Sequence, residues 1–588
     1  MTRSTRTTPS ALAAMTAALL TAAVAIAAGA APAPAGAEVT RSTELVDTER
    51  VETPVATTSP ITEVTESVVR VKVPLPASAG PRPEACDWLS YLRFRHEDGP
   101  AASARADRIL VAQPGVLEGA GAFDGVARNT VAAAARSGRH IEFWALDRRS
   151  NCLEDNAGVL AGLAAGDTHL AVDYYYRRKE VDGRAFAGYQ TNDQVKWLQN
   201  VGLAQTVRDQ YDLMAAELPD QAARKSTMMC GGHSLGGIIT GFFAKWDFDG
   251  DRTTTADAGY NQCAGYFALD TRIQAGIPGL EGQVPTDLVP IIAFGADAVK
   301  AGLEYGVVPR TLSAPAVINT ETMNLLAIAG LAARLDPGGR SDLSTYIPSG
   351  FNTDTTYRLL FSKDLATFAA GTPTVKDFGF TNAAALGGLM DDDSEPLAFM
   401  QASVGFFDGG RIVDKDFPVP NDLARAGMPF LRNLLGTEAK AIPDEPNGPL
   451  YSWRDYDDVA GLTYKSRDGA LFTTPETEVT AIGQLARSLS EHPLDFTEDY
   501  FPTKLVTDIG LSASPGIADP AVHDGGIAAN PTIDLQAGDG VGFTSPRPGD
   551  VVAPGYQHLD VLTAATRQNG GRSELISVSL ARFATGAG

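Results

Sequence analysis

The chain of 588 residues has few cysteines and few histidines, and its acidic residues outnumber its basic ones. There are 48 lysines and arginines against 71 aspartates and glutamates, which gives a net charge of −23. A nucleic-acid partner requires a basic surface that neutralises phosphates, so this balance argues against one. Beyond the N-terminal region no segment reaches about 18 uncharged apolar residues, the length of a membrane span, so we expect a soluble mature protein.

The N-terminal region has the three parts of a secretory signal peptide. A basic start precedes an uncharged, alanine-rich run at 11–28, and the small residues Ala-Gly-Ala at 35–37 stand before Glu38. We therefore predict a signal peptide at 1–37 and export of the mature chain. The Thr-, Val- and Glu-rich stretch that follows, 38–64, is interpreted as a leader.

The four cysteines become informative once export is expected, because disulfides persist in oxidising compartments. Four cysteines allow three pairings, and the residues alone do not choose among them. The cysteines are Cys86, Cys152, Cys230 and Cys263.

The order of apolar segments indicates an α/β protein. Between 65 and 275, short apolar runs such as "DRILVAQPG" and "STMMCGG" alternate with amphipathic stretches of helical spacing, which predicts a mostly parallel sheet flanked by helices. From 276 to 505 this alternation breaks, and helical segments are separated by Pro/Gly-rich loops, as expected of a second domain or a large insertion. The alternation returns over 506–588.

A serine stands between two pairs of glycines in "GGHSLGG". Ser234 is the centre of a G-x-S-x-G pattern, with an apolar strand before it and a helical stretch after it. That context is expected of a nucleophile on a sharp strand-to-helix turn, where neighbours two positions away must be small. Ser234 is therefore the candidate nucleophile.

A serine nucleophile needs a base, and histidine is the usual one. In a strand-turn-helix site of this kind the acid and then the histidine follow the serine in the chain. This order leaves His492, His523 and His558. His558, in the loop "PGYQHLD" just before a predicted helix, is the preferred base, and His523 in "AVHDGG" is the runner-up.

The acid that orients the base has two candidates. Asp539, in "LQAGDG", follows a short predicted strand and precedes His558, so it is preferred. Asp270, at the end of "FALDT", follows the strand after the serine and is the alternative. Asp534 lies inside a strand and is less suited to reach the base.

Two backbone N–H groups should stabilise the oxyanion that forms in the reaction. The first is that of Leu235, directly after the nucleophile. The second is expected from the loop after "RILVAQPG", from Val116 or Leu117.

The segments "GGHSLGG" and "GYQHLD", together with the order of the elements, resemble the α/β-hydrolase superfamily of serine esterases, lipases and peptidases, and the serine segment is similar to the lipase form. The resemblance covers about 65–275 and 505–588. It implies a mostly parallel central sheet flanked by helices, a large, mainly helical cap inserted at 276–505, and catalysis without a metal or an organic cofactor.

The resemblance also bears on the cysteines. In this fold the second strand runs antiparallel beside the fourth, which brings Cys86 and Cys152 to one edge of the sheet and implies a bridge. Cys230 and Cys263 would then pair by elimination. However, if Cys230 ends one strand and Cys263 begins the next parallel one, they lie roughly 13 Å apart at about 3.3 Å per residue, beyond disulfide reach.

Two acidic stretches raise the question of a metal. Asp247, Asp249, Asp251 and Asp257 alternate along a loop that could bind Ca²⁺, but the spacing departs from the EF-hand pattern, and a solvated turn is the preferred interpretation. The stretch "MDDDSEP" near Asp391 is interpreted as a surface turn. No metal site is predicted.

Together these features predict a secreted serine hydrolase that cleaves a small-molecule or lipid ester. Two alternatives remain open: an amidase or peptidase with the same triad, and a non-catalytic binding protein on a hydrolase scaffold. The sequence does not predict an oligomeric state.

Overall fold

The computed structural model describes residues 49–276, 299–313, 318–422, 435–436, 438–510, 522–541 and 546–586. The predicted signal peptide at 1–37 lies outside these residues, as does the first part of the predicted leader. None of the described helices is long and apolar enough to cross a membrane.

The described part of the chain contains fourteen strands. In chain order they are β1 (Arg50–Val55), β2 (Val64–Lys72), β3 (Trp88–His96), β4 (Arg108–Gln113), β5 (Ile141–Asp147), β6 (Met228–His233), β7 (Gly265–Leu269), β8 (Gly379–Phe380), β9 (Gly405–Asp408), β10 (Ile412–Asp414), β11 (Ala441–Pro443), β12 (Leu450–Asp455), β13 (Thr532–Ala537) and β14 (Val551–Ala553).

The helices whose bounds lie within the described residues are α1 (Asp124–Arg136), α2 (Ala157–Ala165), α3 (Thr168–Arg177), α4 (Leu203–Glu217), α5 (Gln221–Thr227), α6 (Leu235–Lys245), α7 (Thr320–Leu335), α8 (Leu343–Tyr346), α9 (Phe351–Phe361), α10 (Leu365–Ala370), α11 (Asn382–Met390), α12 (Ile482–Ser488), α13 (Thr503–Gly510), α14 (Asp560–Thr563) and α15 (Leu575–Thr585).

A mixed nine-stranded sheet forms the core, in the order β1-β2-β3-β5-β4-β6-β7-β13-β14. The strands from β1 to β5 in this order pair antiparallel, and those from β5 to β14 pair parallel. Every residue of β6 and β7 is buried, as expected of strands in the middle of a parallel sheet. Strand β1 lies inside the predicted leader 38–64, so the sheet begins before residue 65.

Helices pack against the sheet in two groups. Helix α1 contacts α15 and the strands β3 and β5, whereas α6 contacts α4 and the strands β4 and β6. The α/β class predicted from the alternating segments therefore agrees with the described residues.

The segment 276–505 contributes α7 to α12 together with two small sheets. Strands β8, β12 and β9 form one of them, and β10 and β11 form the other. Helix α7 begins with a capping box, because the Asn319 side chain accepts from Thr322 N while the Thr322 side chain accepts from Asn319 N. Short strands thus accompany the helices that the sequence predicts for this segment.

Both disulfides form. Cys86 and Cys152 are bridged as the resemblance implies, with 5.0 Å between their Cα atoms. Cys230 and Cys263 are also bonded, as elimination predicts, with 5.8 Å between their Cα atoms. The separation of roughly 13 Å, which assumed that Cys230 ends its strand at about 3.3 Å per residue, is wrong. Cys230 is the third residue of β6 and pairs with Tyr266 near the start of β7, and Ala264 N, just before β7, donates to Met228 O at 2.6 Å.

A buried ionic cluster joins the segment 276–505 to the sheet core. Asp124 of α1 accepts from Arg128 Nε at 2.6 Å and pairs with Arg487 of α12. Arg128 also pairs with Glu66 of β2 at 2.5 Å, and His492 Nδ1 lies 2.8 Å from the second oxygen of that carboxylate. The two guanidinium groups hold the pKa of Asp124 well below its usual range although burial opposes this.

Asp124→Ala should destabilise the protein by roughly 3–5 kcal/mol, because it leaves Arg128 and Arg487 buried without their shared carboxylate. Urea unfolding followed by circular dichroism measures the change. The matched control is Asp458→Ala, which breaks an exposed pair with Arg454 and should cost about 1 kcal/mol or less. Equal losses in the two variants would contradict a structural role for the cluster.

Candidate active site

Ser234 occupies a sharp turn between β6 and α6. Its backbone has φ 52° and ψ −118°, a conformation that residues other than glycine rarely adopt. The flanking glycines are required by space, since a Cβ at Gly232 or Gly236 would lie within 2.4 Å of the Gln113 carbonyl oxygen. The turn is held to the next strand, because Ser234 N donates to Leu269 O at 3.1 Å. The Ser234 side chain therefore stands, partly exposed, at the carboxyl end of the sheet.

His558 pairs with Asp270. Its Nδ1 lies 2.6 Å from Asp270 Oδ2, and both side chains are buried. The other oxygen, Asp270 Oδ1, accepts from Ala537 N at 3.0 Å, which fixes the carboxylate between β7 and β13. Asp270 directly follows β7, the strand beside the one that carries Ser234.

The preferred acid, Asp539, is not the partner of His558. Its backbone N–H donates to Tyr556 O at 3.0 Å. The next residue, Gly540, instead packs against the acid, because a Cβ there would come within 2.3 Å of Asp270 Oδ2. The alternative acid of the sequence prediction is thus the one that the fold brings to His558.

The other two histidines that follow the serine lie elsewhere. His523 Nε2 is 2.9 Å from Asp247 Oδ2, and His492 belongs to the buried ionic cluster around Asp124. Neither is joined to Asp270. Asp534 carries an ion pair with Arg272, and its pKa is raised mainly by burial.

Glu118 and His233 form a buried pair that the sequence does not predict. His233 is fully buried beneath the turn, with Nδ1 2.6 Å from Glu118 Oε1 and Nε2 3.0 Å from the His558 carbonyl oxygen. Glu118 Oε2 accepts from Gly115 N at 2.6 Å. One carboxylate therefore connects the loop after β4 with the residue before Ser234, and His233 connects it onward to His558. No local pattern pairs Glu118 with His233, which lies 115 residues away.

The two histidines influence each other's protonation. Their ring centroids are 4.3 Å apart. Burial lowers the pKa of His233, but the carboxylate of Glu118 outweighs it, so that pKa is raised. Burial lowers the pKa of His558 and the charge of His233 lowers it further, against the opposing effect of Asp270. The surroundings therefore favour protonation of His233 over protonation of His558.

The described residues hold no hydrogen bond between Ser234 Oγ and His558. Hydrogen bonds of this kind are often long or poorly aligned before a substrate binds. The contact between the rings of His233 and His558 nevertheless keeps His558 beside the residue that precedes Ser234.

Arg148 holds the loop after β4 in place through hydrogen bonds. Its guanidinium donates to Pro114 O at 2.8 Å, pairs closely with Gly115 O, and bridges to Glu498 Oε2 at 2.6 Å. Within the described part of the chain, the N–H groups of Val116 and Leu235 donate no hydrogen bond, and both residues are partly exposed. Two backbone donors are thus unused near Ser234.

The acidic loop at 247–257 is hydrogen-bonded within itself. Asp247 Oδ1 accepts from Gly250 N at 2.8 Å, and Asp249 Oδ1 accepts from Asp251 N at 2.6 Å. Asp249 and Asp251 are exposed, as a solvated turn predicts, whereas Asp247 is buried against His523. The interpretation of "MDDDSEP" as a surface turn is wrong, because residues 391–395 are all buried.

Comparison with known proteins gives little information about this chain. No protein-family model and no curated protein matches the chain. Among solved structures, the peroxisomal alpha-beta-hydrolase Lpx1 from Saccharomyces cerevisiae is similar at 14% identity and a TM-score of 0.17, over 42% of this chain and 52% of that one. The chain thus spans about half the length of this relative, and the account of the site rests on its own geometry.

Proposed function

We propose that the protein is a serine hydrolase of the α/β-hydrolase fold that cleaves a carboxylic ester through an acyl-enzyme. One observation carries the proposal. Ser234 stands on a strained strand-to-helix turn, and the neighbouring strand ends in Asp270, which is hydrogen-bonded to His558. A serine, a carboxylate and a histidine in this order on adjacent strand ends are the parts of a nucleophilic triad.

The strand order supports the fold assignment. Counted along the chain from β2, without the edge strand β1, the second strand is β3 and the fourth is β5. These two strands pair antiparallel. The resemblance to the superfamily implies this arrangement. The insertion at 276–505 stands before the strands β13 and β14 that complete the sheet, where the superfamily carries its cap, and it binds the loop after β4 through the hydrogen bond from Gly119 N to Phe496 O at 2.9 Å.

The reaction would run in two stages. His558 Nε2 takes the proton of Ser234 as Oγ attacks the ester carbonyl, and Asp270 holds the imidazolium that forms. The N–H groups of Leu235 and Val116 donate to the oxyanion. His558 then gives the proton to the leaving alcohol, and the same base activates the water that hydrolyses the acyl-enzyme. No step requires a metal or an organic cofactor.

His233 would act as a positioning residue in this reaction. Both of its ring nitrogens face acceptors, the carboxylate of Glu118 and the carbonyl of His558, which is the hydrogen-bonding pattern of an imidazolium. The charged groups around His558 are then Asp270, His233 and Glu118. A fixed positive charge beside the base disfavours its protonation, so the base remains available below its ordinary pKa.

Secretion belongs to the same proposal. The predicted signal peptide at 1–37 and the bonded pairs Cys86–Cys152 and Cys230–Cys263 support an extracellular enzyme, since disulfides persist outside the reducing cytosol. The strong negative charge argues against a nucleic-acid partner.

Ser234→Ala should lower kcat on a panel of p-nitrophenyl esters by at least about 10³-fold and abolish labelling by a fluorophosphonate probe, because no other group replaces the attacking oxygen. Ser226→Ala, which changes an exposed serine on α5, is the matched control and should keep both. If folded wild-type protein shows no labelling and no activity on esters or aminoacyl amides, the non-catalytic alternative is correct.

Asp270→Asn should lower kcat by roughly 10²–10⁴-fold with little change in KM, because the asparagine no longer stabilises the His558 imidazolium. Asp539→Asn should stay within a few fold of wild type. Steady-state kinetics on the best ester, with thermal melts to verify folding, decide between the two residues. The reverse ranking would return the acid to Asp539.

His233→Asn should move the acid limb of the kcat/KM profile to higher pH. The sign follows from charge, since removing the imidazolium makes protonation of His558 easier and raises its pKa. In wild type the midpoint of this limb should lie below pH 6.5, which is the ordinary pKa of a histidine side chain. His523→Asn, which changes a histidine outside the site, should leave the limb in place. An unchanged limb in His233→Asn would rule out the charge effect.

A further inference from the structure

A buried group of acidic side chains lies behind the loop that carries His558. Four of its members follow helix α11 in the stretch "DDDSE", and the others approach from distant parts of the chain. None is more than 4% exposed. The six residues, named here the acidic group, are Asp391, Asp392, Asp393, Glu395, Glu478 and Asp560.

Positive charge in the neighbourhood is insufficient to balance these side chains. Two buried lysines reach the same stretch: Lys415 Nζ donates to Ser394 O at 2.5 Å, and Lys440 Nζ binds Asp392 O. Both ammonium groups are thus bound to backbone carbonyls. Six carboxyl groups against two ammonium groups is an expensive arrangement in a protein interior.

Three of the carboxylates converge on one point. One oxygen from each of Asp391, Asp392 and Glu478 lies within 4.8 Å of the other two. Two oxygens bound to one Ca²⁺ at about 2.3–2.6 Å can be at most about 5 Å apart, so this spacing is within the reach of a shared ion. Mutual repulsion of three unshared carboxylates would instead disfavour it.

Each of the three carboxylates is held in place by backbone donors or neighbouring side chains. Asp391 accepts from Val404 N at 3.2 Å and from Asp393 N at 3.1 Å. Glu478 accepts from Gly405 N at 2.7 Å and from Thr473 Oγ1 at 2.7 Å. These donors fix the carboxylates and leave further lone pairs unused.

The carboxylate of Asp392 provides an independent indication of a cation. Its Oδ2 accepts from Gln557 Nε2 at 2.9 Å. Its Oδ1 is buried and has no hydrogen-bond partner within the described residues. A carboxylate oxygen in that position loses its hydration and gains nothing in return unless a cation binds it.

We propose that Asp391, Asp392 and Glu478 bind a divalent cation, with Ca²⁺ the best fit. The ligands are all oxygen, which excludes the soft metals that prefer sulfur and imidazole. Their irregular arrangement suits the flexible coordination of Ca²⁺ better than the strict octahedron of Mg²⁺.

The cation would also support the segment around His558, residues 557–560. Asp392 holds the Gln557 side chain, and Asp560 of the same segment accepts from Gln557 N at 2.7 Å. Fixing Asp392 therefore fixes the residue next to His558. This consequence rests on the proposed function, whereas binding of the cation does not.

Thermal unfolding of the mature protein, with and without cation after EGTA treatment and gel filtration, tests the site. Ca²⁺ is added at 10 mM, above the dissociation constants of about 10⁻⁴–10⁻³ M that are typical of Ca²⁺ sites in extracellular modules. It should raise Tm by at least about 3 °C. Mg²⁺ should give a smaller shift. No shift with Ca²⁺, together with no calcium by elemental analysis of the purified protein, would overturn the proposal. A Mg²⁺ shift as large as that of Ca²⁺ would overturn the choice of Ca²⁺.

Asp392→Asn and Glu478→Gln should both lose the Ca²⁺ shift. Without Ca²⁺ they should melt no lower than wild type, because each removes a repelling charge without changing the shape of the side chain. Asp257 forms another group of three closely spaced carboxylates with Asp247 and Asp249. The matched control is Asp257→Asn. It should keep the shift, and its loss in that variant alone would assign the ion to that loop instead. The readout needs no hydrolase activity, so it stands apart from the test of Ser234.

Discussion

The parallel pairing of β4, β6, β7 and β13 is the constraint on which the candidate site depends. The strand register pairs Gln113 with Gly232 and His233 with Leu269. The strands β4, β6 and β7 therefore end within one residue of the same level. The turn at Ser234 can pass so close to β4 because both flanking glycines lack a Cβ. Whatever directly follows β7 then lies next to the turn, and that residue is Asp270.

Buried charge is used in two different ways around this sheet. The ionic cluster of Asp124, Arg128 and Arg487 pairs carboxylate with guanidinium groups and joins the segment 276–505 to the sheet core. Among the described residues, the acidic group has no guanidinium partner, so its neutralisation requires protons or the cation proposed above. Buried charges are costly unless paired, which is why the two groups need different means of neutralisation.

The pair of Glu118 and His233 shows how a proposed base is tuned by residues that do not react. Glu118 is tied to Gly115 in the loop after β4, and His233 is tied to the carbonyl of His558. One chain of hydrogen bonds therefore connects a candidate oxyanion loop, the turn at Ser234 and the base. A displacement of any one of these three parts would therefore displace the other two.

Local patterns in the sequence are sufficient to predict the local features of this protein. The strand, the turn and the helix around Ser234, and the α/β class, follow from glycine spacing and apolar periodicity, which act over a few residues. Three outcomes become visible only in the folded chain: Asp270 rather than Asp539 is hydrogen-bonded to His558, Cys230 reaches Cys263, and residues 391–395 are buried. Those outcomes depend on strand register and on contacts between residues far apart in the chain, which no local pattern encodes.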